Sequence, residues 1–239
     1  MTDSHPQGDG ALAEVADDAA SRKGFLRMAG AGAAGSLALL IAACGDDKAK
    51  SSSSTTSTTD SKPSSSSDAD MKGDLEILNY ALTLEFLEAD FYAQVIDSGL
   101  AKGDIAELAK AIGQTEQGHV DALTKTIKSL GGKPATKPET KFQPVLDKGL
   151  DTVLQTAATV ENLGAAAYLG QAPRIKNKEI LAAALSIHSV EARHAAGLNL
   201  LVGRGFTGKS ALEGSIPDGA FGAPMDMDAV LAAVKPYIA

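Results

Sequence analysis

Glu116-Gln117-Gly118-His119 and Glu191-Ala192-Arg193-His194 are two Glu-x-x-His segments, and each sits in the middle of an apolar stripe that should be buried. The first interrupts Ile105, Leu108, Ile112, Leu123, Ile127 and Leu130; the second interrupts Leu181, Ala184, His188, Ala195, Leu198 and Leu201. Steps of three and four residues mark the buried face of an amphipathic helix. On such a helix, three residues separate side chains by about 60° around the axis and about 4.5 Å along it, so one ion or an adjacent pair can use both groups. Two more stripes carry a polar break of the same kind. Leu75, Leu78, Leu82, Glu85, Ala89, Tyr92 and Ile96 form one, and Leu150, Leu154, Ala157, Glu161, Gly164 and Tyr168 the other. Left without partners, each buried polar group would cost several kcal/mol, so something must compensate them.

Four helices follow from these stripes, and their connections are unequal. Gly99 and Gly103 break the first helix from the second, with Asp104 and Glu107 spaced as a capping box for the second. That helix runs about 27 residues to Gly131-Gly132. Gly170 and Pro173 should stop the third, Asn177 should cap the fourth, and Gly203 and Gly205 should end it. The first and third connections are short enough to require antiparallel hairpins. Residues 131–148, with Pro134, Pro138 and Pro144, are long enough to run the length of the bundle. One long crossover between two hairpins is expected, where an up-down-up-down bundle would use three short loops.

A duplication supports this pairing. Glu85 is followed seven residues later by Tyr92, and Glu161 seven residues later by Tyr168, and 31 and 30 residues separate these glutamates from Glu116 and Glu191. The second hairpin therefore repeats the first. Glu88 shares the face of Glu85 but corresponds to Gly164, so it reads as solvated or as a neighbour of the site in preference to a ligand. His188 corresponds to Gly113 and reads as a core histidine or as a neighbour of the site.

The rest of the composition agrees. Aromatics are 4% and Trp is absent, which suits helices packed through small side chains. A formal charge of -8 with no Lys/Arg cluster in the folded part argues against a nucleic-acid partner. At the N-terminus, Ser21-Arg22-Lys23-Gly24-Phe25-Leu26 precedes an uncharged Ala/Gly-rich run from Met28 to Ala43, the pattern of an export signal. It resembles a twin-arginine signal with Lys23 in place of the second arginine. Ile41-Ala42-Ala43-Cys44 looks like a lipobox, in which cleavage leaves Cys44 to receive lipid. Cys44 is the single cysteine, so no disulfide within the chain is available. The Ser/Thr-rich stretch that follows is too polar to collapse and would hold the folded part on the order of 30 Å from a membrane. The expected organisation is 1–43 signal, 44–72 lipidated cysteine and tether, 73–206 bundle, and 207–239 a C-terminal extension with a short helix.

The ligand pattern resembles the ferritin-like superfamily of di-iron and di-manganese carboxylate proteins, in which two helices each give one Glu and two give Glu-x-x-His. Within it, Leu78-Asn79-Tyr80-Ala81-Leu82-Thr83-Leu84-Glu85-Phe86-Leu87-Glu88 and the Pro224-Met225-Asp226-Met227-Asp228-Ala229-Val230-Leu231 ending are similar to the exported family that includes desiccation-related proteins. The resemblance implies an all-α ferritin-like four-helix bundle and a centre for two Fe or Mn ions. Glu85 and Glu161 would be terminal or bridging ligands, Glu116 and Glu191 a bridging pair, and His119 and His194 one imidazole per ion. Tyr92 and Tyr168 would be redox-active or would support the ligands, and the absence of thiolates argues against Zn or Cu(I). Implied with this is an oxidoreductase of the cell surface acting on peroxide, dioxygen or Fe(II): a ferroxidase, a peroxidase or a manganese-catalase-like enzyme. It would be anchored through lipid on the outer face of the cytoplasmic membrane, as a monomer or small homo-oligomer. A non-catalytic metal-binding or stress-protective lipoprotein is the alternative, and an iron-storage cage suits a tethered chain poorly.

Overall fold

The computed structural model describes residues 67–205, 214–216 and 219–239; the export signal, Cys44 and nearly all of the tether lie outside them. The described residues form α1 (Asp68–Ser98), α2 (Gly103–Ser129), the single turn α3 (Gln143–Leu146), α4 (Leu150–Gln171), α5 (Lys178–Leu201) and α6 (Met227–Val234). Helix α1 packs along α2 and α4 along α5 as two hairpins, and α1 meets α4 between them. Tyr92 of α1 bonds Glu161 of α4 while Tyr168 of α4 bonds Glu85 of α1, so these two helices run antiparallel. That is the arrangement expected of two hairpins joined by a crossover. Among the described residues no helix is long and apolar enough to cross a membrane.

Several boundaries differ from those expected. Helix α1 starts at Asp68, within the stretch assigned to the tether, because Ser67 accepts from the Asp70 N–H while the Asp70 carboxylate accepts from the Ser67 N–H. This reciprocal pair satisfies orphan donors at the helix start. The capping box assigned to Asp104 and Glu107 does not form. Helix α2 begins two residues earlier than an Asp104 cap would give, at Gly103 with Lys102 at the cap position and no side-chain cap, which leaves Asp104 inside the first turn. Asn177 does cap α5, accepting from the N–H groups of Glu179 and Ile180. Two stripe positions also shift: Ile96 is 43% and Leu108 37% exposed, while Val95 and Ala109 are buried in their place. An ideal helix drifts against a strict heptad, and the seam moves by one residue near these helix ends.

The crossover is fastened along α1. Asn79 accepts from the Ala135 N–H at 2.6 Å, Asp90 receives Lys137 and Thr140, and Gln94 donates to Thr140 at 2.9 Å. Phe142 is fully buried between Phe91 and Tyr237, and the chain end pairs with the crossover through Lys141 N–H to Tyr237 O and Ala239 N–H to Glu139 O. Buried Asp74 accepts from both the Lys176 and Asn177 N–H groups at 2.8 Å, tying the α4–α5 loop to the start of α1.

Gly170 does not stop α4, which continues to Gln171 and a 3-10 turn holding Pro173. Its role is close approach. A Cβ there would lie 2.0 Å from the Met225 carbonyl oxygen, where the C-terminal segment crosses α4 and Met225 N–H donates to Ala166 O at 3.1 Å. Gly170→Ala is therefore expected to cost about 1–3 kcal/mol by overpacking. Gly197→Ala, with nothing within 4 Å, is expected to cost nothing. Thermal melts check this; equal melting of the two variants would contradict the crossing.

Two apolar clusters divide the interior. One gathers Leu84, Leu87, Phe91, Ile112, Phe142, Val153, Leu198 and Val230; the other gathers Ile77, Leu82, Leu123, Ile127, Ile180 and Ile187. On every long helix the Glu or Glu-x-x-His position lies at the junction of these clusters.

Candidate metal centre

Helix α1 supplies Glu85, α2 supplies Glu116 and His119, α4 supplies Glu161, and α5 supplies Glu191 and His194. The structure brings all six together as two overlapping donor sets. Glu85, Glu116, His119 and Glu191 form one, and Glu116, Glu161, Glu191 and His194 the other, with the donor atoms of each set within 4.8 Å of one another. Glu116 and Glu191 belong to both. His119 Nδ1 lies 3.0 Å from Glu116 Oε2, 3.2 Å from Glu85 Oε2 and 3.2 Å from Glu191 Oε1. His194 Nδ1 lies 3.0 Å from Glu116 Oε1 and 3.1 Å from Glu161 Oε2. Each imidazole thus points the same nitrogen into a ring of carboxylate oxygens.

The four glutamates are fully buried, and the histidine side chains are 11% and 16% exposed. Burial raises the pKa of Glu85 to about 7 although His119 pulls it down, and burial also raises Glu161. Glu191 is pushed well above the carboxylate range by burial and then by the charge of Glu85. Burial acts upward on Glu116 too, but hydrogen bonds from His119 and His194 outweigh it and hold this group at about 2. Burial opposes the imidazolium form, yet bonds to the carboxylates carry His119 up to about 12 and His194 to about 9. Glu191 Oε2 has no hydrogen-bond partner, and Glu191 Oε1 is approached only by His119 Nδ1. Four buried carboxylates that share only two imidazole nitrogens and two phenols as partners, with Glu191 Oε2 left bare, fit a pair of cations.

These shifts give the metal-free protein a signed pH dependence. Glu85 and His194 have folded pKa values above the unfolded ones, so the folded chain holds protons that the unfolded chain releases. The stability from Glu85 is full below about 4.5 and lost through about 7; that from His194 is full below about 6.5 and lost through about 9. Each proton so held costs about 1.4 kcal/mol per pH unit as pH rises within its window. Metal-free protein is expected to melt lower from about pH 5 to pH 9, and metal-loaded protein, whose ions replace those protons, to lose this slope. Parallel melts at several pH values check it.

The family model described as Ferritin-like domain matches residues 73–204, more than half of the chain. The chain belongs to this ferritin-like family. A solved structure from Bacillus anthracis str. Ames, described as ferritin like, diiron-carboxylate proteins, is 23% identical, covering 57% of this chain and 99% of its own, with a TM-score of 0.48. No curated protein matches the chain.

In this ferritin-like bundle the tyrosines are not among the donor sets. Tyr92 Oη donates to Glu161 Oε1 at 2.6 Å and Tyr168 Oη donates to Glu85 Oε1 at 2.5 Å, each reaching the glutamate of the opposite helix. Burial, followed by those carboxylate charges, raises both phenols well above their usual range, so they stay protonated as donors. His188 donates to or accepts at the site of neither set; its Nδ1 lies 2.9 Å from the Ala165 carbonyl oxygen, which the N–H form bonds. Glu88 is not solvated: it is buried beside the site, and burial and the charge of Glu191 push its carboxyl well above the usual range. Of the two readings the sequence left open, solvated or neighbouring the site, the structure shows the second.

Proposed function

We propose that this chain is an exported lipoprotein whose ferritin-like bundle holds two Fe or Mn ions and acts as an oxidoreductase on peroxide or dioxygen, or in Fe(II) oxidation, protecting the cell surface from oxidative stress. The observation that carries the reading is the pair of donor sets sharing Glu116 and Glu191. Oxygen-rich ligation with one imidazole per set suits Fe and Mn. Two such ions side by side supply paired one-electron changes, enough together for one O–O bond.

The chain's own residues do the rest. Glu116 and Glu191, which belong to both donor sets, would hold both ions, and Glu85 and Glu161 would each serve one of them. Tyr92 and Tyr168 fix those two carboxylates and keep a phenolic proton at Glu161 Oε1 and Glu85 Oε1, beside the reacting space. The two apolar clusters keep water out along the bundle axis, and the histidine edges are the part of the six-residue set that reaches solvent. Peroxide consumption, or dioxygen uptake with Fe(II), by metal-loaded protein against Glu161→Ala tests this reading.

The lipoprotein part rests on the signal-like run and on Cys44. Cys44→Ser is expected to leave an unprocessed, unlipidated precursor in the native host, seen as a larger species that takes up no labelled fatty acid. Processing and membrane retention equal to wild type would remove the anchor from the account.

A further inference from the structure

The inference rests on the dinuclear reading and concerns Glu88. In the duplicated hairpins Glu85 corresponds to Glu161 and Tyr92 to Tyr168, so Glu88 corresponds to Gly164, and the halves differ there by one carboxylate. Glu88 is 3% exposed, and its Oε2 has no hydrogen-bond partner. The glycine explains where this side chain goes. A Cβ on Gly164 would lie 3.0 Å from Glu88 Oε1 and 2.7 Å from Glu191 Oε2. The two carboxylates thus converge on one small space that α4 leaves open, and Glu191 belongs to both donor sets. A side chain at residue 164 would fill that space, so the duplicated fold has room for this carboxylate in one half only.

A buried carboxylate facing another carboxylate and bare backbone must be neutralised, by a proton in the metal-free chain or by a cation in the loaded one. We propose that Glu88 is a seventh ligand, one of its carboxylate oxygens coordinating one of the two ions held by Glu85, Glu116, His119, Glu161, Glu191 and His194. The two metal positions are then inequivalent despite the internal duplication. Four glutamates and two neutral imidazoles balance two divalent ions; the fifth carboxylate lowers the excess positive charge of a trivalent pair. Glu88 therefore favours the oxidised pair.

The test compares wild type with Glu88→Gln, which keeps the side-chain volume and the hydrogen bonding of a neutral acid but is a poor ligand. Anaerobic titration with Mn(II), or with Fe(II), is expected to show two ions of unequal affinity in wild type. In the variant one of them should weaken about tenfold or more while the other is retained. Crystals of the metal-loaded wild type should show a Glu88 oxygen bonded to one ion, and that measurement decides alone if the variant fails to fold. Unchanged affinities in a folded variant, or a Glu88 carboxylate turned from both ions, would overturn the proposal while leaving the six-residue centre standing. Wild type that binds neither metal would overturn the centre and the role of Glu88 together.

Discussion

Alanine at Glu116 or at Glu191 is expected to strip the protein of both metal ions at once. Each carboxylate belongs to both donor sets, so each truncation removes a ligand from both ions and leaves two positive ions without the charge between them. Changes to groups that merely support a ligand typically cost 10- to 100-fold in affinity, so losing a shared ligand should cost at least about 100-fold. His194→Ala touches one set and should lose one ion preferentially. Stability should follow occupancy. At a metal concentration about a hundred times the dissociation constant, binding adds about 2.7 kcal/mol, roughly 5–10 °C for a domain of this size. Wild type should gain this on loading and Glu116→Ala should not. Elemental analysis with paired melts measures both, and full metal content in Glu116→Ala and Glu191→Ala would refute the shared-ligand geometry.

Metal-loaded wild type is expected to consume peroxide, or to oxidise Fe(II) in air, at least about tenfold faster than the same concentration of free metal, because two adjacent sites in one cavity replace a chance encounter of ions. Glu161→Ala is expected to fall to the protein-free rate. Glu161 is a donor of one set only, and it also receives the Tyr92 phenol, so its loss unbalances one ion and frees the proton held there. Rates should be compared at equal metal, for both metals and both oxidants. Equal rates in wild type, variant and protein-free controls would favour a metal-binding protein without turnover.

The four helices and their pairing were legible because glutamates and histidines broke apolar stripes at fixed spacing, and because one connection was long. The ligand candidates were legible for the same reason. What lay across helices was not. Each tyrosine follows a glutamate of its own helix by seven residues, yet antiparallel α1 and α4 hand it to the other glutamate. Asp74 holds the backbone of Lys176 and Asn177, about a hundred positions away, with no local pattern to announce it. Glu88 reads as solvated or as a neighbour of the site, and the choice between the two was not legible because it depends on the absent Cβ at Gly164, on another helix, which gives the buried carboxylate room. Two helix starts were not read correctly from local patterns. Ser67–Asp70 closes in space, while Asp104 falls inside a helix that Gly103 has already begun.

The most direct test of the metal centre is the metal content of protein purified after native export, without added metal or chelator. Two ions of Fe or Mn per chain, falling well below one in Glu116→Ala, is the predicted result. A wild-type protein that carries neither metal and takes up neither on anaerobic incubation would contradict it.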